Sequence, residues 1–69
     1  MSQEPIPNSK KPISIVIVDD HRIFRQGIES NLNLHDDLEV VGHGWDGEQA
    51  LNVIRERKPD IAIMDINLP

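Results

Sequence analysis

Five blocks of apolar and polar residues along the chain predict the element order β-α-β-α-β. Continuous apolar runs predict the strands, because the strands of a parallel sheet are buried on both faces. Apolar residues three and four positions apart, with polar residues between them, predict amphipathic helices. The predicted strands are 13–18, 38–41 and 61–64, and the predicted helices are 22–34 and 47–57. Helical crossovers of this length imply parallel strands with right-handed connections.

The second predicted helix has recognisable signals at both ends. Asp46 is a suitable N-cap, and Gln49 stands three residues later, where the partner in a capping box belongs. Lys58 precedes Pro59, and the residue before a proline avoids helical backbone angles. We therefore expect this helix to end at Lys58 and the third strand to follow.

Three carboxylates follow strands directly and are the candidate chemistry. Asp19 and Asp20 come after strand 1, and Asp65 comes after strand 3. If strands 1 and 3 are neighbours, with strand 2 on the other side of strand 1, the connections after strands 1 and 3 leave in opposite directions, and ligands bind at such a switch point. Adjacent strands lie about 4.8 Å apart, so the three carboxylates would crowd one another unless a cation intervened. The bland alternative is that each acid serves only as a turn or helix-cap residue.

The chemistry of such a cluster is specific. Hard oxygen ligands favour Mg²⁺ or Mn²⁺, and Mg²⁺ uses few carboxylates while it keeps several waters. Such an ion would screen the charge of a phosphoryl donor, so that one carboxylate could attack the phosphorus in line. The sequence therefore predicts a metal-assisted phosphoryl site at the carboxyl ends of strands 1 and 3.

Charge and composition exclude several function classes. Residues 13–69 carry five basic against eleven acidic side chains, a net charge of −6, and the whole chain carries −5. A chain so acidic lacks the basic surface that nucleic-acid binding requires. Residues 1–12 hold three of the five prolines and little apolar surface, so we expect a disordered leader before a body at 13–69. Without cysteine or an apolar run of membrane-spanning length, we expect a cytoplasmic protein without membrane contact.

The stretch GHGWDG, residues 42–47, supports a rival interpretation. It matches the G-x-G-x-x-G pattern of dinucleotide-binding enzymes through Gly42, Gly44 and Gly47, and it lies between a strand and a helix. The rival is weakened by Asp46, which would occupy the helix N-terminus where a pyrophosphate binds. Trp45 adds bulk there as a surface contact or as a side chain packed over helix 2. The rival also leaves Asp19 and Asp20 unexplained.

Three segments together resemble the receiver domain of bacterial two-component response regulators. They are "IVIVDDHRIFRQGI", "VVGHGWDGEQAL" and "KPDIAIMDINLP", and they look most like the subgroup followed by a LuxR-type helix-turn-helix. The resemblance implies an α/β flavodoxin-like fold, here a truncated doubly wound parallel sheet with strand order 2-1-3. It implies that Asp65 accepts a phosphoryl group from a histidine kinase. It also implies that Asp19, Asp20, Asp65 and the backbone carbonyl of Asn67 hold Mg²⁺.

The chain also departs from the receiver pattern. A receiver has five strands and five helices, whereas this chain stops after strand 3 and lacks the later residues that read the phosphoryl group. We expect a signalling module rather than an enzyme, with DNA contacted only through an absent output domain. We expect marginal folding or self-association through the exposed edge of strand 3. A receiver-like interaction module that is never phosphorylated stays as an alternative.

The histidines are expected to be structural. His21 follows the acidic pair at the start of helix 1, as is typical of the subgroup, and an influence on the pocket is the alternative to its structural role. His35 and His43 are expected in turns, too scattered to form a metal site.

Overall fold

A three-stranded parallel sheet with one helix on each face forms the fold in the computed structural model, which describes residues 11–64. The central strand pairs in parallel with both others, and the order is β2-β1-β3. The predicted fold class and strand order are therefore confirmed. The elements are β1 Ile13–Val18, α1 Arg22–Leu32, β2 Leu38–Gly44, α2 Gly47–Arg57 and β3 Ile61–Met64.

Two predicted boundaries are wrong. Helix α1 ends at Leu32 rather than at residue 34, because the N–H groups of Leu34 and His35 bond to carbonyls three residues back and tighten the chain into a turn. The 78% exposed side chain of Leu34 gives no packing that would favour another helical turn. Strand β2 continues to Gly44 rather than stopping at residue 41, because its last residues pair with β1.

A bulge in β2 decides which way its last residues face. Ile15 is opposite Val40, but Val16 is opposite Gly42, so Val41 is the extra residue. Because side chains alternate across a strand, this one-residue shift places Gly42 opposite Val16 and His43 opposite Ile17. Without the bulge, these residues of β2 would face the opposite sides of the sheet.

The best-packed part of the protein lies between β1 and α2. Val16, Val18 and Ala50 are buried as one cluster, with Val41, Val53 and Ile54 packed against it. A Cβ added to Gly42 would lie 2.5 Å from Cγ2 of Val53, and one added to Gly44 would lie 3.2 Å from the backbone N of Ala50. Both glycines are therefore where α2 approaches β2 most closely.

The N-cap at Asp46 and the end of α2 at Lys58-Pro59 are confirmed, but within residues 11–64 the Gln49 side chain makes no capping-box bond to the Asp46 N–H. The Asp46 carboxylate accepts a hydrogen bond of 2.8 Å from the backbone N–H of Gln49. Lys58 adopts a left-handed conformation with φ 48°, and its N–H donates to the carbonyl of Ile54 at 2.8 Å. This arrangement ends the helix directly before Pro59.

Helix α1 covers the opposite face of the sheet more loosely. None of its side chains is buried, and Ile23 and Phe24 are 81% and 57% exposed. A groove of about 200 Å³ separates α1 from β3, lined by Ile17, Val18, Asp19, Phe24, Ile28, Ile63 and Met64. Neither α1 nor α2 has the length and apolar character needed to cross a membrane.

The amino ends of β1 and β3 are joined by a compact set of hydrogen bonds. The Asp60 carboxylate accepts from the backbone N–H of Ser14 at 2.9 Å and from its hydroxyl at 3.1 Å. The Asp60 N–H in turn donates to both the hydroxyl oxygen and the carbonyl oxygen of Ser14, each at 2.9 Å. The Ser14 backbone N–H, followed by its hydroxyl, lowers the pKa of the Asp60 carboxyl.

Candidate functional site

The candidate site lies at the carboxyl end of β1. Asp19 directly follows this strand, and its N–H donates to the carbonyl of Gly44 at 3.0 Å, which extends the pairing with β2 by one bond. On the other side, Val18 is paired with Met64 at the end of β3. The site is therefore built on the central and most buried strand of the sheet, where both neighbouring strands also end.

Asp19 is a buried carboxylate, with only 3% of the residue exposed. Its Oδ1 accepts a hydrogen bond of 2.8 Å from the backbone N–H of His21, and the guanidinium of Arg25 donates to its backbone carbonyl. These bonds give Asp19 the structural role of a turn residue, which was the alternative interpretation, since it fixes the chain between β1 and α1. A buried charge is costly unless it is paired, and hence a structural role and a cation site are compatible here.

Asp20 and His21 complete a group of three ligand-type side chains. Nδ1 of His21 lies 2.8 Å from Oδ1 of Asp20 and 3.2 Å from Oδ1 of Asp19. Ligand atoms of the three residues all lie within 4.8 Å of one another. The side chains of Asp20 and His21 are 48% and 75% exposed, so the group is open to solvent on one side.

His21 is the member of this group to which sequence reasoning gave only a minor role. We expected it to be a structural residue at the start of α1, and it does occupy the N-cap position, but its side chain makes no capping bond. The imidazole turns back to the acidic pair instead. Its place directly after two aspartates was the available signal.

The site opens into a depression beside α1. Asp19, His21, Ile23 and Phe24 line an open volume of about 500 Å³, and Asp19 also borders the groove between α1 and β3. The lining is largely apolar, and Asp19 supplies its carboxylate. A hydrated cation, or the charged group of a phosphoryl donor, has room to approach the carboxylates from this side.

The donor chemistry fits the predicted cation. Carboxylate oxygens are the ligands that Mg²⁺ prefers, and an ion between Asp19 and Asp20 would offset the repulsion between the two charges. Asp65 and Asn67, the other predicted ligands, lie outside the described residues, as does the predicted leader apart from Lys11 and Pro12.

A second polar pair lies away from this site, and one prediction about it is wrong. His43 is in β2 rather than in a turn, and its Nε2 lies 3.0 Å from Oε1 of Glu29 in α1. Its Nδ1 is buried, and no hydrogen-bond partner for this atom lies among the described residues. The pair links α1 to β2 on the face of the sheet toward which the bulge turns His43.

The rival dinucleotide site finds little room at GHGWDG. The spaces beside Gly42 and Gly44 are filled by α2, and Asp46 already accepts the N–H of Gln49 at the start of that helix. Gly47 has open space around it, so packing does not require a glycine there. Trp45 is 51% exposed and therefore lies at the surface. Close packing against α2 therefore explains the first two glycines, and no nucleotide is needed to account for them.

Comparisons with known proteins point to one family. The family model described as the response regulator receiver domain matches residues 15–69. The chain is similar to the transcriptional regulatory protein DegU of Brevibacillus brevis, with 43% identity over 88% of this chain and 26% of that protein. It is 46% identical to the transcriptional regulatory protein DesR of Bacillus subtilis (strain 168), over 83% of this chain and 29% of that protein. The chain thus spans between a quarter and a third of these relatives.

A solved structure gives the same result for the fold. The signal receiver domain of the putative response regulator NarL from Mycobacterium tuberculosis superposes with a TM-score of 0.81 and 37% identity. The match covers 86% of this chain and 48% of that chain.

Proposed function

The chain belongs to the response regulator receiver domain family, and from this premise we propose that it accepts a phosphoryl group on Asp65 from a histidine kinase. Asp19 and Asp20 hold Mg²⁺ in this proposal, together with Asp65 and the backbone carbonyl of Asn67. The module stores the phosphoryl group and has no turnover on a separate substrate.

The observation that carries this proposal is the position of the acidic pair. Asp19 and Asp20 stand at the carboxyl end of the central strand, and the neighbouring strand β3 ends level with it, because Val18 pairs with Met64. Asp65 is the next residue in the chain after Met64. This register supports a role for all three carboxylates in one site.

The chemistry assigns a distinct task to each residue. When bound, Mg²⁺ supplies positive charge that offsets the charge of the incoming phosphoryl group. A carboxylate oxygen of Asp65 forms a bond to phosphorus, while the bond from phosphorus to the imidazole nitrogen of the kinase breaks and its electron pair stays on that nitrogen. Asp19, fixed by the His21 N–H, and the more exposed Asp20 hold the cation in place.

The output of the signal is also part of the proposal. The two relatives named above are transcriptional regulatory proteins, and the sequence segments resemble the subgroup with a LuxR-type helix-turn-helix. We therefore assign DNA binding to an output domain of that type outside residues 1–69. The acidic body makes no direct contact with nucleic acid in this proposal.

The test is an intact-mass spectrum before and after incubation with Mg²⁺ and a small acyl-phosphate donor. We expect one phosphoryl adduct that maps to Asp65, disappears in Asp65→Asn and persists in the matched control Asp36→Asn, which changes an exposed turn residue. Asp19→Asn should raise the Mg²⁺ concentration that half-maximal phosphorylation requires. No adduct on a folded chain, or an adduct that survives Asp65→Asn, would overturn the proposal and favour the unphosphorylated interaction module.

A further inference from the structure

We propose that His21 is a ligand of the bound cation through Nδ1, and that this nitrogen gives the site a preference for Mn²⁺ over Mg²⁺. This inference rests on the proposed function, because it concerns the same acidic pair. It adds a side chain to the oxygen ligands that the family resemblance implies.

The spacing of the donor atoms is the first support. Nδ1 of His21 is 2.8 Å from Oδ1 of Asp20 and 3.2 Å from Oδ1 of Asp19. Neighbouring ligands of an octahedral ion with bonds of about 2.1 Å are separated by about 3.0 Å. The imidazole nitrogen is therefore spaced from both carboxylates as one ligand of a small octahedral ion is from its neighbours.

The local backbone holds His21 in this place. Its N–H donates to the Asp19 carboxylate at 2.8 Å, and its carbonyl accepts the first helical bond, from Arg25 N–H at 3.0 Å. Both bonds are made by the main chain, so the ring can turn while its attachment point stays fixed. The 75% exposed side chain borders the open depression, where water can complete the coordination of an ion.

The nitrogen changes the ion preference. Imidazole binds first-row transition ions, and although Mn²⁺ is the weakest binder of that series, Mg²⁺ lies outside it, prefers oxygen ligands and retains its waters. A site with two carboxylates and one imidazole should therefore bind Mn²⁺ more tightly, relative to Mg²⁺, than the same carboxylates alone. The rival role for His21 is that of a positive group that pairs with the carboxylates and competes with any cation.

Pulsed electron paramagnetic resonance of Mn²⁺ bound to the full chain detects directly whether a nitrogen atom coordinates the ion. We expect a nitrogen hyperfine coupling that disappears in His21→Ala and persists in His35→Ala, the matched control in the exposed turn after α1. In titrations, His21→Ala should weaken Mn²⁺ binding about tenfold or more, since even residues that only hydrogen-bond to the ligands of a metal contribute that much. Mg²⁺ binding should change far less.

The outcomes separate this inference from the proposed function. Mn²⁺ bound through oxygen alone, with Asp65 still phosphorylated, would overturn the role of His21 and leave the receiver function intact. Tighter binding of both ions by His21→Ala would overturn it in favour of the competing positive group. Failure of the chain to bind either ion would overturn the inference together with the metal site of the proposed function.

Discussion

The two faces of the sheet are covered by helices of the same length, eleven residues each, but they are packed very differently. On the α2 face, Val16, Val18 and Ala50 are at most 2% exposed, and two glycines let the helix approach β2 closely. On the α1 face, Ile23 and Phe24 remain largely exposed beside an apolar groove, and the His43–Glu29 pair forms one of the links.

This difference separates stability from function within the molecule. Helix α2 has the tighter interface with the sheet, because it buries Ala50 and packs Val53 and Ile54 against Val16 and Val18, whereas no side chain of α1 is buried over Ile17. The acidic pair and His21 open toward the α1 side, where apolar surface remains available for contacts. We therefore expect core substitutions to act on folding, and site substitutions to act on cation and phosphoryl chemistry with less effect on folding.

Truncation of one side chain on each face should show the largest contrast. Val16→Ala removes two fully buried methyl groups and leaves a cavity, so we expect the free energy of unfolding to fall by about 2 kcal/mol. Ile23→Ala changes an 81% exposed side chain and should cost less than about 0.5 kcal/mol. Urea unfolding followed by circular dichroism measures both values. Equal losses would contradict the difference between the faces.

Substitution of alanine for glycine at two positions should change the free energy of unfolding in opposite directions. Gly42→Ala places a Cβ 2.5 Å from Cγ2 of Val53, so we expect a loss of about 1–3 kcal/mol in the free energy of unfolding. Gly27→Ala, in α1 with open space around it, should instead gain about 0.5–1 kcal/mol through helix propensity. Urea unfolding again provides the measurement.

A double-mutant cycle isolates the cause of the loss at Gly42. Val53→Ala removes the methyl group that the new Cβ would meet, so the double variant should lose less stability than the sum of the two single variants. Strict additivity would show that the cost at Gly42 arises elsewhere in the backbone.

The pattern of residues was sufficient for the element order and for most boundaries. Strand 1 and the caps of α2 were predicted because apolar runs, Asp46 and Lys58-Pro59 act locally. The end of β2 was missed because Gly42-His43-Gly44 has no β-branched residue, and pairing with β1 outweighs local preference there. The bulge at Val41, which turns His43 toward Glu29, depends on tertiary packing that no local pattern encodes.

The candidate site was predicted in part. The residues themselves were enough to place Asp19 and Asp20 after a buried strand, and the structure describes them there. The position from which the His21 side chain leaves the backbone depends on backbone angles at the start of α1, with φ −103° and ψ 107°, which the sequence does not specify. The roles of Asp65 and Asn67 stay predictions.

The exposed strand β3 offers a test of association rather than of folding. Within residues 11–64, β3 pairs only with β1, so its other edge has backbone groups that can pair with a second copy. We expect concentration-dependent self-association in sedimentation velocity. Ala62→Lys should weaken it by about 0.2–1 kcal/mol per facing pair of like charges.

Asn52→Lys is the matched control for this charge change, because it lies on an exposed position of α2. Association that falls equally in both lysine variants would assign the effect to net charge rather than to the edge of β3. A monomer at every concentration would contradict the association itself.

The smallest effect is expected at the Ser14–Asp60 link, on the end of the sheet opposite the candidate site. Hydrogen bonds from Ser14 lower the pKa of the Asp60 carboxyl below its ordinary 3.8, so the link stabilises the fold above that pH. The contribution is lost as the pH falls from about 3.8 through the lower value in the folded chain. Asp60→Asn should therefore flatten the pH dependence of the unfolding midpoint in acid, and the effect should be small because the carboxyl is exposed.

Ser14→Ala distinguishes the two donors that act on Asp60. It removes the hydroxyl but keeps the backbone N–H, which has the larger influence on the pKa of Asp60. We therefore expect Ser14→Ala to retain most of the acid dependence that Asp60→Asn removes, in unfolding midpoints measured as the pH falls from about 5 to about 2. If Ser14→Ala removes as much of it as Asp60→Asn does, the hydroxyl rather than the backbone N–H controls the link between β1 and β3.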